Sequence, residues 1–237
     1  MRTTHKAVLF GNRVRAFTPS DIATLAAWYD KSDAATLFQD SALTTPATNN
    51  GDVIGGWKDK TANVYHALQA TTTNKPTLQA GGIRFDGTDN YLSVAFGTTY
   101  AQSNEFIAVI KMNDITGTKY LFGGINTNNR HEVGSNGSFH VLLGGSSFTT
   151  TIAPSTSKRI YGVIFNGASS SFAINGGAAS TGNPGAQGIT GLTLGARFDL
   201  GAWGAVDISE FCFFSDTLSD ANRTSLISYL NSKWSVF

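Results

Sequence analysis

The sequence contains the runs Phe106-Ile107-Ala108-Val109-Ile110 and Ile160-Tyr161-Gly162-Val163-Ile164-Phe165, which are apolar at both alternating sets of positions. Successive side chains of a β-strand point to opposite faces of a sheet. A run that is apolar on both faces therefore indicates a strand that is buried on both sides. We predict that these two runs form the middle of a β-sandwich.

Shorter runs of β-branched and aromatic residues surround this pair and are separated by Gly, Asn, Ser and Thr clusters, at spacings typical of a sandwich. Further strands are predicted at residues 27–29, 54–57, 83–85, 91–94, 120–122, 139–143, 172–174, 192–194 and 206–214. Asn175-Gly176-Gly177 is predicted to form a tight hairpin turn, because Asn-Gly tolerates the positive φ angles that such a turn requires.

Length and composition agree with one large all-β domain. The chain has 237 residues with 26 Gly and only 14% charged residues, and a sandwich of about 200–250 residues commonly folds as one unit. The single cysteine, Cys212, excludes an intramolecular disulfide and is predicted to be a buried apolar residue. No apolar stretch reaches the roughly 18 residues of a membrane span, and no signal peptide is recognisable. The sequence therefore predicts a protein made in the cytoplasm, without a membrane partner.

One helix is predicted near the end of the sequence. Ser219 can cap it, and Leu226, Leu230 and Trp234 recur on one face together with Ile227. We expect this helix to pack on a sheet edge or on the rim of the sandwich.

A basic N-terminal arm, residues 1–16, is predicted to precede the domain at residues 17–237. Its four charges, Arg2, Lys6, Arg13 and Arg15, all lie before the first acidic residue, Asp21. A solvated or partner-docked extension and specific docking on an acidic protein surface are both open interpretations. The charges are sparse compared with those of nucleic-acid-binding arms, which argues against a nucleic-acid partner.

Ordered motifs along residues 17–236 resemble the concanavalin A-like (laminin-G-like) modules of the lectin/glucanase superfamily that occur in bacteriophage structural proteins. The motifs are Phe17–Ile22 with Leu25–Asp33, Thr36–Asp40, Gly56–Lys60 with His66-Ala67, Ile83–Leu92, Leu194–Ala196, Ile208–Phe211, and Leu218-Ser219 with Tyr229–Trp234. The resemblance implies a jelly-roll β-sandwich of two antiparallel sheets with a short C-terminal helix. It also implies a virion component, such as a capsid decoration or a tail or fibre protein, with other virion proteins as partners; a homo-oligomer is compatible with it.

Catalysis is not supported by the carboxylate pattern. The glucanases of this superfamily carry a Glu-x-Asp-x-(x)-Glu strand motif, and this sequence has none. The nearest strand carboxylates, Asp207 and Glu210, are three residues apart, which points them to opposite faces unless a bulge intervenes. We therefore predict that the chain is not an enzyme and that Glu210 is a structural acceptor for neighbouring backbone or Arg.

Two binding sites are predicted from loop residues. Asp86, Asp89 and Asn90 offer oxygen ligands for Ca²⁺, although the same residues can simply cap a turn in which Gly87 has a positive φ; no other cofactor is expected. Trp203, with Arg197 and Asp199 upstream, is the main candidate for glycan binding, with packing as the alternative. The polar loop containing Asn129 and Arg130 is a second candidate.

Function stays open among three classes, because this fold hosts many activities. A phage structural protein with a lectin-like surface is the first hypothesis. A dedicated carbohydrate-binding or host-adhesion module is the second, and a glycan-cleaving enzyme is the third.

Overall fold

The computed structural model describes residues 15–237. Its strands are β1 (Leu25–Asp30), β2 (Leu37–Phe38), β3 (Gly56–Trp57), β4 (Ala67–Leu68), β5 (Thr77–Gln79), β6 (Gly82–Asp86), β7 (Leu92–Tyr100), β8 (Asn104–Met112), β9 (Lys119–Gly123), β10 (Glu132–Ser135), β11 (His140–Leu143), β12 (Ser147–Thr149), β13 (Lys158–Phe165), β14 (Ser170–Ile174), β15 (Ser180–Gly182), β16 (Ile189–Leu194) and β17 (Ala205–Phe214), and they are followed by helix α1 (Asp220–Trp234).

These elements form a jelly-roll β-sandwich of two antiparallel sheets. The eight-stranded sheet has the order β15-β14-β13-β8-β17-β6-β5, and β1 also pairs with β17. The nine-stranded sheet has the order β12-β11-β10-β9-β16-β7-β4-β3-β2. The predicted fold class is thereby confirmed, and all the predicted strand runs lie within or overlap observed strands.

The prediction for the two doubly apolar runs is confirmed, because β8 and β13 pair side by side near the centre of the eight-stranded sheet. Their inner side chains pack in the core between the sheets, where the rings of Phe106 and Phe213 stack 4.8 Å apart. Their outer side chains, including Ile107, Val109 and Ile160, belong to a second apolar layer beneath α1. The sandwich therefore has a third layer on one side.

The position predicted for the helix is wrong. α1 does not lie on an edge or on the rim; it crosses the outer face of the eight-stranded sheet and buries Leu226 and Leu230 against that face. The outward apolar residues of β8 and β13 need such a cover, because they would form a large apolar patch if they were exposed to solvent. Cys212 is buried in the same layer, as predicted. The Ser219 cap is confirmed by its Oγ, which accepts from the Asn222 amide at 3.2 Å.

Two buried glutamates attach the helix to the sheet. Glu105 on β8 accepts from Arg223 at 2.7 and 2.9 Å, at the start of α1. Glu210 on β17, at the other end of the helix, accepts from Lys233 at 2.8 Å and from the Trp234 indole at 2.6 Å. Because both carboxylates are buried, each depends on these donors to replace its hydration.

The hairpin at Asn175-Gly176 is confirmed. Both residues have positive φ, at 55° and 70°, and the Gly177 amide donates to the Ile174 carbonyl at 2.9 Å. The turn connects β14 to β15, a short strand that the sequence pattern did not indicate.

The described chain begins on the surface of α1. Phe17 contacts Tyr229 edge to face at 6.4 Å, and Arg15 forms an ion pair with Asp21. Arg2, Lys6 and Arg13 of the predicted arm lie outside the described residues. Within residues 15–237, no helix has the length and hydrophobicity that crossing a bilayer requires.

Candidate functional site

Two neighbouring loops carry the residues predicted for glycan binding. Residues 124–131 connect β9 to β10, and residues 195–204 connect β16 to β17. β9 pairs with both β10 and β16, so the loops meet on the same part of the nine-stranded sheet. The 195–204 loop is a hairpin closed by a bridge between Ala196 and Trp203.

The structure brings Arg130 and Arg197 together around an aromatic ring that the sequence analysis did not select. The guanidinium of Arg130 lies 4.1 Å from the centroid of the Phe198 ring, and that of Arg197 lies 5.7 Å from it. Arg197 also lies 5.8 Å from the Tyr120 ring. We call Arg130, Glu132, Arg197, Phe198 and Asp199 the arginine–aromatic cluster.

Arg197 is held by its neighbour Asp199. The Arg197 Nε donates to Asp199 Oδ1 at 2.7 Å, and a second guanidinium nitrogen donates to Oδ2. These bonds lower the pKa of Asp199 to about 2 and raise the pKa of Arg197. Asp199 also accepts from the Gly201 amide at 3.0 Å. Both side chains are therefore charged and fixed in position at neutral pH.

Glu132 lies beneath this pair on β10, 1% exposed. Burial raises the pKa of its carboxyl group. Its Oε1 accepts weakly from the Phe198 amide at 3.4 Å, whereas its Oε2 is buried with no hydrogen-bond partner among residues 15–237. Arg130 Nε, 3.9 Å from that oxygen, has no hydrogen-bond partner in the described chain either. Such incompletely satisfied polar groups are uncommon in folded proteins.

The side chain of Trp203 is half-buried and packs at 6.0 Å from the Tyr91 ring. Its carbonyl accepts from the Tyr120 amide. Trp203 thus has a packing role and still exposes part of its ring on the hairpin that carries Arg197. Asn129 is half-buried beside Arg130, and its backbone N–H donates to Asn126 Oδ1 at 2.8 Å.

The predicted calcium loop has the geometry of a capped turn. Asp86 Oδ1 accepts from the amides of Thr88, Asp89 and Asn90 at 2.9, 3.3 and 3.4 Å. Gly87 has a φ of +82°, as expected for the turn. No group of three or more His, Cys, Asp or Glu side chains suited to a metal ion occurs in residues 15–237. Calcium binding by Asp86, Asp89 and Asn90 stays a prediction.

Asp207 and Glu210 do not point to opposite faces, because the bulge that the sequence analysis named as the exception is present. The pairing of β17 with β8 shifts register between Ile208 and Glu210, which is the signature of a bulge. Ile208 and Phe211 both face the inner core, so Asp207 and Glu210 both face outward. Each has its own partners: Asp207 binds Arg84 at 2.8 and 2.9 Å.

Glu210 is fully buried and accepts from four side chains. The donors are the Trp28 indole at 2.8 Å, the Tyr229 hydroxyl at 3.2 Å, Lys233 and the Trp234 indole. The predicted role as a structural acceptor is thus observed, with indole, phenol and ammonium donors in place of backbone or Arg.

No protein-family model matches the chain, and no curated protein matches its sequence. Solved structures do match its fold. A Trypanosoma rangeli sialidase in complex with sialic acid matches at 14% identity with a TM-score of 0.59, and its complex with 2,3-difluorosialic acid matches at 13% with a TM-score of 0.61. Each match covers 90% of this chain and 33% of the sialidase, so the chain spans about a third of that enzyme's length.

A further match is a structure of botulinum neurotoxin type C, a toxin whose cell entry depends on interaction with two ganglioside molecules. Its identity is 12%, its TM-score is 0.53, and the match covers 87% of this chain and 51% of the toxin chain. At these identities the matches show the sandwich fold alone.

The prediction that the chain is not an enzyme is contradicted by these matches, because sialidases are enzymes and this fold occurs within their chains. The absence of a glucanase carboxylate motif therefore does not exclude activity on glycans. Glycan hydrolysis has to be measured together with glycan binding.

Proposed function

We propose that this chain is a glycan-binding sandwich module of a phage virion protein, with the arginine–aromatic cluster and Trp203 as its sugar site. One observation supports the glycan site above all others. Arg130 on the 124–131 loop lies against the ring of Phe198 on the 195–204 loop, and Arg197 lies near the same ring.

The chemistry of the site suits a sugar. Sugar C–H faces pack on aromatic rings, and sugar hydroxyls need donors and acceptors held in place. Trp203 supplies a partly exposed ring, and Asp199 supplies acceptor oxygens fixed by Arg197. Arg130, whose side chain is 17% exposed, has guanidinium donors to offer, since its nearest carboxylate oxygen is 3.9 Å away.

The fold matches agree with a glycan ligand, because the sialidase was solved with sialic acid and the toxin interacts with gangliosides. Support for a virion location comes from the sequence resemblance along residues 17–236. In this proposal the protein is made in the host cytoplasm and assembles with other virion proteins.

A glycan array with the full-length protein tests the sugar site. We expect Arg130→Gln and Trp203→Ala each to weaken binding about tenfold, which corresponds to the loss of one charged hydrogen bond or one ring contact. Arg159→Gln is the matched control, because Arg159 is also half-buried but donates to the Ala153 carbonyl away from the cluster. The same samples are assayed for release of free sugar. Absence of binding to every glycan, or equal binding by the three variants, would reject the proposed site.

The virion assignment is tested by incorporation into particles. We predict that deleting residues 1–16 leaves a folded sandwich but abolishes incorporation. A full-length variant with Arg2, Lys6, Arg13 and Arg15 all changed to Gln tests whether the charge of the arm is responsible. Incorporation of the truncated protein at full occupancy would refute the role of the arm.

A further inference from the structure

A row of charged side chains crosses the outer face of the eight-stranded sheet beyond the C-terminal end of α1. The four residues lie directly opposite one another on neighbouring paired strands. Lys158 on β13 lies opposite Lys111 on β8. Lys111 lies opposite Asp207 on β17, which in turn lies opposite Arg84 on β6. Their strand neighbours Ile83, Ile110 and Ile208 face the inner core, so the row faces outward. We call Lys158, Lys111, Asp207 and Arg84 the basic row.

A further lysine adds to the positive charge of this surface. Lys31 follows β1 and donates to the Ala80 carbonyl at 3.0 Å. Burial lowers the pKa of Lys31, and the positive charge of Lys158 acts in the same direction. With Lys31, the surface holds four cations and two carboxylates, Asp207 and Asp86, which faces outward from β6 two residues beyond Arg84.

This concentration of positive charge contrasts with the rest of the domain. Without the four basic residues of the arm, 13 basic residues face 16 acidic residues, since 17 − 4 = 13. The domain is thus net negative by three, while the basic row together with Lys31 and Asp86 is net positive by two, with four cations and two carboxylates. Clustered charge of this kind attracts ligands of opposite sign.

The lysines of the row do not stabilise the fold through ion pairs. The Asp207 oxygens are taken by Arg84 and by the Asn113 amide at 2.8 Å. No carboxylate of residues 15–237 lies within ion-pairing distance of Lys111 or Lys158. Like charges directly opposite each other on paired strands are destabilising. Lys111 and Lys158 form such a pair and are both half-buried, and this cost points to a ligand that supplies the missing negative charge.

We propose that the basic row binds an acidic polysaccharide whose carboxylates contact Lys158, Lys111 and Arg84. Lys111 and Arg84 are two strands apart, about 9.6 Å at normal strand spacing, and Asp207 between them is buried with its oxygens held by Arg84 and Asn113. Such separated cations suit a polymer that carries carboxylates among neutral hydroxyls. A nucleic acid is a poorer fit, because duplex DNA carries a charge every 1.7 Å or so of its axis, which is much denser than the spacing of the cations in the row. This surface is independent of the arginine–aromatic cluster, which lies on the other sheet.

Binding of the full-length protein to polygalacturonate in low salt tests the proposal, with neutral dextran and duplex DNA as the other probes. We expect binding to polygalacturonate that weakens as salt rises, because exposed charges are screened within about 8 Å at 0.15 M. The double variant Lys111→Gln/Lys158→Gln should bind at least about fivefold more weakly. Its thermal unfolding temperature should change little, since the change removes the Lys111–Lys158 repulsion together with the attraction of Lys111 to Asp207 and the contact of Lys158 with the Trp234 ring.

Lys58→Gln/Lys75→Gln is the matched control, because it removes the same charge from half-buried lysines of other surface regions. Equal losses in the two double variants would show that only net charge matters and would overturn the proposal. Failure to bind polygalacturonate, or tighter binding to duplex DNA, would also overturn it. None of these results changes the expected effect of Arg130→Gln on the glycan array, so the two proposals fail separately.

Discussion

Replacing Glu210 with Gln tests whether the buried carboxylate holds α1 on the sheet. Glu210 is 0% exposed and accepts from Trp28 and Tyr229 through Oε1 and from Lys233 and Trp234 through Oε2. A glutamine has the same shape but one oxygen, so two of the four donors would face an amide NH₂ group. Hydrogen bonds to a charged group contribute about 1.5–3 kcal/mol each.

The expected loss in the free energy of unfolding is about 3 kcal/mol. Two lost bonds amount to roughly 3–6 kcal/mol, and removing the cost of burying the charge offsets part of this. Lys233 keeps a partner in the variant, because its Nζ also lies 2.8 Å from Asp30 Oδ1. Urea unfolding followed by tryptophan fluorescence gives the value directly, since Trp28 and Trp234 report on this contact.

Asp220→Asn is the control, because Asp220 on the same helix is fully exposed and should show little change. A loss below about 1 kcal/mol for Glu210→Gln, comparable with one neutral hydrogen bond, would refute the assigned role.

The pH dependence of stability gives a second readout of Glu210. Burial, followed by the charge of Asp30, raises the pKa of Glu210 above its usual 4.5. The folded state then holds this proton more tightly than the unfolded state does. The contribution of Glu210 to stability therefore falls as pH rises from about 4.5 through the raised pKa. Glu210→Gln should abolish this decline, and an unchanged pH profile would argue against it.

Three further variants test other contacts of the fold. Leu230→Ala should cost about 2–5 kcal/mol in urea unfolding, because Leu230 is fully buried under the helix, whereas Ser228→Ala on the exposed side should change little. Gly195→Ala should cost about 3 kcal/mol, since Gly195 has a φ of +81° and a Cβ there would collide with the Phe85 ring; its thermal unfolding temperature should drop accordingly. Ser219→Ala should cost about 1 kcal/mol through loss of the helix cap, and an unchanged unfolding midpoint would contradict the role of the cap.

Local patterns predicted those parts of the fold that depend on a few neighbouring residues. Alternation at Phe106–Ile110 and Ile160–Phe165 predicted the central strands, because burial on both faces requires apolar residues at every position. The Asn175-Gly176 turn and the Ser219 cap were predictable because each rests on one residue's backbone preference or side-chain oxygen. Short strands such as β2 and β4 were missed, since two residues are too few for a period.

The candidate site was predicted only in part. The sequence pointed to Arg197, Asp199, Trp203, Asn129 and Arg130 through loop composition. It did not point to Phe198, although an aromatic residue between Arg197 and Asp199 in a loop was a usable signal. Glu132 was missed because a carboxylate at the start of a strand is normally expected to be exposed. The sequence does not show that another loop covers it.

The sequence by itself determined that the chain forms an all-β sandwich with a capped terminal helix, because strand periodicity, turn residues and the cap are local properties. Only the tertiary structure decided that α1 covers the outer face of the eight-stranded sheet, that a bulge turns Asp207 and Glu210 to the same side, and that Arg130 meets Arg197 at Phe198. The physical reason is that each of these depends on strand register and order across the sheets. Register and order bring together residues far apart in the chain and leave no local pattern in it.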